Sequence, residues 1–165
     1  MNTKKIAFIG LSVALAMILS YVESKIPVLV AIPGIKVGLP NVIIVFALYK
    51  LGVKQAVCIS VIRVCLVSLL FGNVQTFAFS LSGAVVSLTG MIVLKRTNWF
   101  SCITVSIVGG LLHNIGQIVV ACFWTKTIQI AYYLPVLLVT GTIAGLIVGL
   151  LSGILVKRLE KWNIG

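Results

Sequence analysis

Apolar residues run through this chain in long blocks that end on one or two cations or on Gly, Pro and Asn. Five blocks, residues 6–22, 53–71, 75–94, 102–123 and 130–156, come close to or exceed the ~20 residues a helix needs to cross a hydrocarbon core. A sixth, residues 39–51, is short, and a block of that length suits a re-entrant or interfacial segment as well as a span. The pattern predicts an all-α membrane protein, a bundle of six transmembrane helices forming one domain over residues 1–165, without repeats or low-complexity tracts. Lys4-Lys5, the apolar stretch after them and Val13-Ala14-Leu15-Ala16 imitate a secretory signal with an A-x-A cleavage site. The apolar run continues to Val22, however, and the rest of the chain is equally apolar, so this segment is expected to be the first spanning helix.

Composition sharpens that picture. Apolar residues make up 61% of the chain and charged residues 9%, against roughly 25% charged in a soluble domain, so too few polar side chains exist to cover a globule. The net charge of +11 would in a soluble protein point to nucleic acid. Here the cations sit almost entirely at the ends of apolar runs, where membrane proteins meet headgroups, so lipid and not nucleic acid is the expected partner. Six spans starting from the cytoplasm put Lys4, Lys5, Lys50, Lys54, Lys95, Arg96, Lys157, Arg158 and Lys161 inside and Lys25, Lys36 and Lys126 outside, as the positive-inside rule expects. Five spans starting outside score equally well, because Lys4 and Lys5 merely trade places with Lys25 and Lys36. Lys4-Lys5 directly before the first span, and the Pro33, Gly34, Gly38 and Pro40 loop before the short block, favour six with both termini cytoplasmic.

Helices in lipid gain nothing by hiding apolar surface from one another, so close association relies on small residues. Gly141, Gly145, Gly149 and Gly153 form such a stripe in the last span. The first span carries Ser12, Ala16 and Ser20 on one face and Gly10 with Ala14 on roughly the opposite one, which invites two packing partners.

Charge inside a span is costly and normally faces a cavity or a partner. Arg63 lies mid-way along the third span; an ion pair with Glu23 or a cap on backbone carbonyls is the competing structural reading. In the fifth span His113 and Gln117 share a face by their i, i+4 spacing, with Asn114 about 100° round; a plain helix–helix hydrogen bond is the alternative for His113. Glu23, Lys36, Asn41, Asn73 and Gln75 are expected to join them, forming a polar chamber in the outer half above an apolar inner half. Arg63, Lys36 and Lys25 against the single nearby acid Glu23 point to a small anionic or carbonyl-rich ligand, although the lysines also suit outer-leaflet headgroups.

The chain has no Walker GxxxxGK[ST] loop, so any ATP-driven transport needs a partner. It has no Asp, only Glu23 and Glu160 as acids, and no serine elbow. Cys58, Cys65, Cys102 and Cys122 show no metal-ligand spacing. Neither catalysis nor a metal or other cofactor is expected.

The stretches Pro33-Gly34-Ile35-Lys36-Val37-Gly38-Leu39-Pro40-Asn41, Gly72-Asn73 running to Ser80-Leu81-Ser82-Gly83, and Gly109-Gly110-Leu111-Leu112-His113-Asn114-Ile115-Gly116-Gln117 resemble the Gx transporter family. That family is also filed under "heptaprenyl diphosphate synthase component I", and the likeness covers nearly the whole chain. Pro40 stands where the family pattern has a small residue, and is expected to affect the start of the second helix. The resemblance implies kinship with the S components of energy-coupling-factor (ECF) transporters. Those are six-helix proteins of the bacterial plasma membrane that bind a micronutrient on the outer side. They dock on a transmembrane coupling subunit, driven by two ATPases, through small residues of the first helix. The matching positions here are Ser12, Ala16 and Ser20, or Gly10 and Ala14. Transport would then proceed by toppling of the whole bundle. The alternative is a non-transporting accessory in isoprenoid or quinone metabolism, or in quinone-linked electron transfer. Prenyl diphosphate synthases hold Mg²⁺-diphosphate with aspartates, which this chain lacks.

Overall fold

In lipid every backbone N–H and C=O must be satisfied within the protein, and helices do this segment by segment. A computed structural model describes residues 3–26 and 37–159, and there the chain is helical throughout, with no strand among the described residues. The helices are α1 (Thr3–Ser24), α2 (Asn41–Lys50), α3 (Val53–Phe71), α4 (Val74–Thr97), α5 (Cys102–Thr125) and α6 (Leu134–Arg158). The last predicted block is divided: residues Ile128–Tyr133 form a 3₁₀ turn, and α6 starts only at Leu134, with Pro135 in the first turn, where a missing N–H costs nothing.

Local chemistry accounts for the boundaries. Asn73 caps α4 by accepting the Thr76 N–H at 2.8 Å, and Ser101 caps α5 by accepting the Thr104 N–H at 3.2 Å. Asn98 ends α4 in the left-handed conformation, and Gly52, at φ 105°, makes the two-residue turn from α2 into α3. Pro40 precedes α2, which accordingly begins at Asn41.

Five helices are long and apolar enough to cross a membrane. The exception, α2, has 10 residues and so measures about 15 Å, half the hydrocarbon thickness. It is apolar on every side, and Val42 to Leu48 are all buried against α1, α3 and α6. Its ends are tied down: the Ser152 hydroxyl donates to the Val42 carbonyl at 3.1 Å, and the Lys95 ammonium donates to the Leu48 carbonyl while lying 5.2 Å over the Tyr49 ring.

Following the helices places Lys50, Lys54, Lys95, Arg96, Lys157 and Arg158 at one end of the bundle. At the other end the Tyr21 ring of α1 lies 5.3 Å from Phe71, the last residue of α3, so α1 begins at the cationic end. Both described termini therefore share that end. Exposed aromatics mark the two interfaces, Trp99 and Phe100 at the cationic end and Phe123, Trp124, Tyr132 and Tyr133 opposite.

Small residues bring α4, α5 and α6 close. A Cβ on Gly145 would lie 2.6 Å from the Ile107 Cα, and one on Gly149 2.8 Å from the Ile103 Cα. Gly141 leaves room for the Asn114 amide, and Gly110 approaches the Gly141 carbonyl. The expected stripe needs one correction: a Cβ on Gly153 would meet nothing within 4 Å, because α6 has by then passed the last backbone contact with α5. The two faces of α1 also separate. Ser12 and Ala16 are buried and Ser20 half-buried, so this face is spent inside the bundle; Gly10 and Ala14 are exposed.

Candidate functional site

Asn41 lies nine residues from the cationic end of α2, Arg63 ten from that end of α3, His113 eleven from that of α5, and Val148 ten from that of α6. At 1.5 Å per residue these positions form a layer roughly 14–17 Å deep, mid-way through a membrane. They meet around one cavity of ≈ 80 Å³ that is also lined by Glu23, Asn114, Gln117 and the backbone of Gly38 and Gly141. Sequence spacing could place the residues of α5 on one face, but bringing four helices to one layer is tertiary.

Arg63 is the main cation of the chamber. Its Nε is buried and has no hydrogen-bond partner among the described residues. The Glu23 carboxylate acts on it electrostatically, yet no ion pair closes between them among the described residues, and no backbone carbonyl takes the guanidinium. Among the described residues neither a Glu23 ion pair nor a backbone-carbonyl cap is formed by Arg63. Glu23 is buried and accepts the Gly38 N–H at 2.6 Å, joining the end of α1 to the approach of α2. α2 points its N-terminus at the chamber. Its first N–H groups are taken by the carbonyls of Gly38, Leu39 and Pro40, so it contributes the positive end of its dipole more than free donors.

On α5, Gln117 Nε2 lies 3.1 Å from His113 Nε2. The donor and acceptor roles there depend on the ring's tautomer, and the other ring nitrogen, Nδ1, lies on the opposite edge. That edge rests on α4, where a Cβ on Gly83 would stand 2.9 Å from His113 Nδ1 and 2.8 Å from Cε1. Asn114 donates to the Leu137 carbonyl, bolting α5 to α6. It is thus a clamp bordering the cavity, with one of its two amide N–H donors engaged. Gly83→Ala should lower stability by about 1–3 kcal/mol, because it pushes into the ring and the His113 carbonyl. Adding His113→Ala should recover part of the loss, read as coupling in thermal unfolding of the single and double variants; additive losses would mean the ring does not depend on Gly83.

Other expectations are corrected. Asn73 is exposed and its oxygen is engaged as the α4 cap, bordering a shallow apolar crevice between the far ends of α3 and α4; Gln75 is exposed, and neither lines the chamber. Lys25 is exposed and lies 5.2 Å over the Tyr21 ring, as an interfacial cation would. Lys36 falls outside the described residues. The cationic half is not wholly apolar, for Ser87 and Ser106 line the chamber beneath His113, with Ser80 on its other side. The helical spacing Ser106-Gly110-His113-Gln117 was the available signal; serines are common enough in spans for it to pass as packing.

No group of three or more His, Cys, Asp or Glu that could hold a metal occurs among the described residues. The arrangement can accept hydrogen-bond acceptors and negative charge at Arg63, and donors at Glu23.

A family model described as heptaprenyl diphosphate synthase component I matches residues 12–155. Comparison with curated proteins and with solved structures gave no match.

Proposed function

Because the chain belongs to the heptaprenyl diphosphate synthase component I family, and because polar side chains gather at mid-membrane depth around a guanidinium whose Nε has no hydrogen bond among the described residues, we propose that it is a substrate-binding membrane component of a micronutrient uptake transporter, similar to the ECF S components. One observation carries this reading: Arg63 Nε is buried within a transmembrane helix bundle and has no hydrogen bond among the described residues. Such a group is expensive unless a ligand completes it. An anionic or carbonyl group of a small molecule taken from the outer side does so.

On this reading the cationic end faces the cytoplasm by the positive-inside rule. Both described termini then lie inside, and the six described helices, one of them short, form a bundle in the plasma membrane. The synthase in the family's description fits an accessory role at most, since the chain contains no Asp to hold Mg²⁺-diphosphate.

Docking on a coupling subunit with two ATPases would use the outward face of α1. Gly10 and Ala14 are exposed there, and a Cβ on Gly10 would meet nothing within 4 Å. The chain should co-purify with such a complex when co-expressed. Gly10→Leu with Ala14→Leu should abolish this without lowering thermal stability, whereas Gly153→Leu should leave it intact. Unchanged co-purification of the double variant, or none with the natural chain, would refute the transporter reading.

A further inference from the structure

The charge inventory of the chamber narrows its ligand. Among the described residues that line it, Arg63 supplies one fixed positive charge and Glu23 one negative charge. Both line the same cavity, yet no ion pair closes between them among the described residues. Glu23 is only partly used by the Gly38 N–H, since a carboxylate has about four acceptor positions. Arg63 retains an unused Nε donor. Two opposite charges lining one cavity, Arg63 at mid-span and Glu23 near the far end of α1, suit a molecule that bridges them.

Against the charges of the described lining residues, a singly charged ligand would leave a net charge, which a low-dielectric surrounding penalises heavily. A molecule with both charges leaves it neutral and gives each buried ion a direct partner. The cavity is small, ≈ 80 Å³, so the ligand it encloses is compact. We propose that the chamber takes a compact zwitterion, its carboxylate on Arg63 beside the N-terminus of α2 and its ammonium on Glu23. This rests on the reading of the chain as a binding component and names the class of substrate.

The test uses the full chain in lipid nanodiscs and three series of probes matched in length. These are the ω-amino acids from glycine to 6-aminohexanoate, the alkanoates from acetate to hexanoate, and the n-alkylamines from ethylamine to hexylamine. Binding is read by thermal shift and calorimetry. One or two adjacent ω-amino acids should bind about 100-fold more tightly than the alkanoate or the amine of the same length. Glu23→Gln, whose amide oxygen can still accept the Gly38 N–H, should reverse the preference toward the alkanoate, and Arg63→Gln should reverse it toward the amine. An alkanoate binding the natural chain as tightly as its ω-amino counterpart would overturn the proposal, as would absence of binding throughout the amino acid series. If either variant fails to fold, the series on the natural chain decides alone. Zwitterion selectivity without co-purification of a coupling complex would sink the transporter reading and leave this assignment standing.

Discussion

Arg63→Gln is expected to strip the chamber of its ligand while leaving the bundle folded. A hydrogen bond to a charged group contributes about 1.5–3 kcal/mol, so losing the guanidinium should weaken binding by one to two orders of magnitude. Stability should change by no more than about 1 kcal/mol, because the guanidinium closes no ion pair among the described residues and Glu23 keeps the Gly38 N–H. A structural ion pair behaves differently: removing one partner of a buried pair costs about 3–5 kcal/mol. Two measurements on the same variant therefore separate the roles. Native mass spectrometry of gently extracted protein should show a retained small molecule in the natural chain and none in the variant, and thermal unfolding should be nearly superimposable. A steep fall in melting temperature would make Arg63 a structural residue.

Gly145→Val should have the largest effect on folding. A Cβ there would stand 2.6 Å from the Ile107 Cα and 2.8 Å from the Ser106 carbonyl oxygen. Both are backbone atoms of α5, which cannot rotate away as a side chain can, so the helices must separate. Separation would also break the Asn114 bond to Leu137, which holds the same pair of helices together. A loss of about 3 kcal/mol or more, seen as a collapse in monodisperse yield and melting temperature, is expected. Gly153→Val, two turns further along the same stripe, should be close to neutral, since nothing lies within 4 Å of its Cβ position. Equal sensitivity at the two positions would contradict the assigned α5–α6 contact.

The contrast between Gly145 and Gly153 shows where sequence reasoning reaches its limit. A spacing of four residues states that glycines share a face, and both do; how far the neighbouring helix follows that face depends on crossing angle and on where α5 begins. The same holds for α1. Its two small-residue faces are equivalent on paper, and only packing buries Ser12 and Ala16 while leaving Gly10 and Ala14 outside. Among site residues, Arg63, His113, Asn114 and Gln117 were legible because polar groups inside apolar runs are conspicuous, and Glu23 and Asn41 because they sit where a run ends or begins. Asn73 and Gln75 looked equally polar but lie at a helix start, where Asn73 serves as a cap. Ser87 and Ser106 escaped notice because serine in a span is ordinary.

Hydropathy is a local, additive property, so the chain by itself determined that five helices can cross a membrane, that α2 falls short, and that α6 can pack through glycine. Orientation was not determined in that way, because exchanging Lys4 and Lys5 for Lys25 and Lys36 leaves the charge tally unchanged. What the Tyr21–Phe71 contact adds is that the start of α1 lies at the cationic end of the bundle. Tertiary structure alone also set Arg63 beside Glu23 without joining them, since the gap between residues forty positions apart depends on how α1, α2 and α3 pack and not on either segment alone.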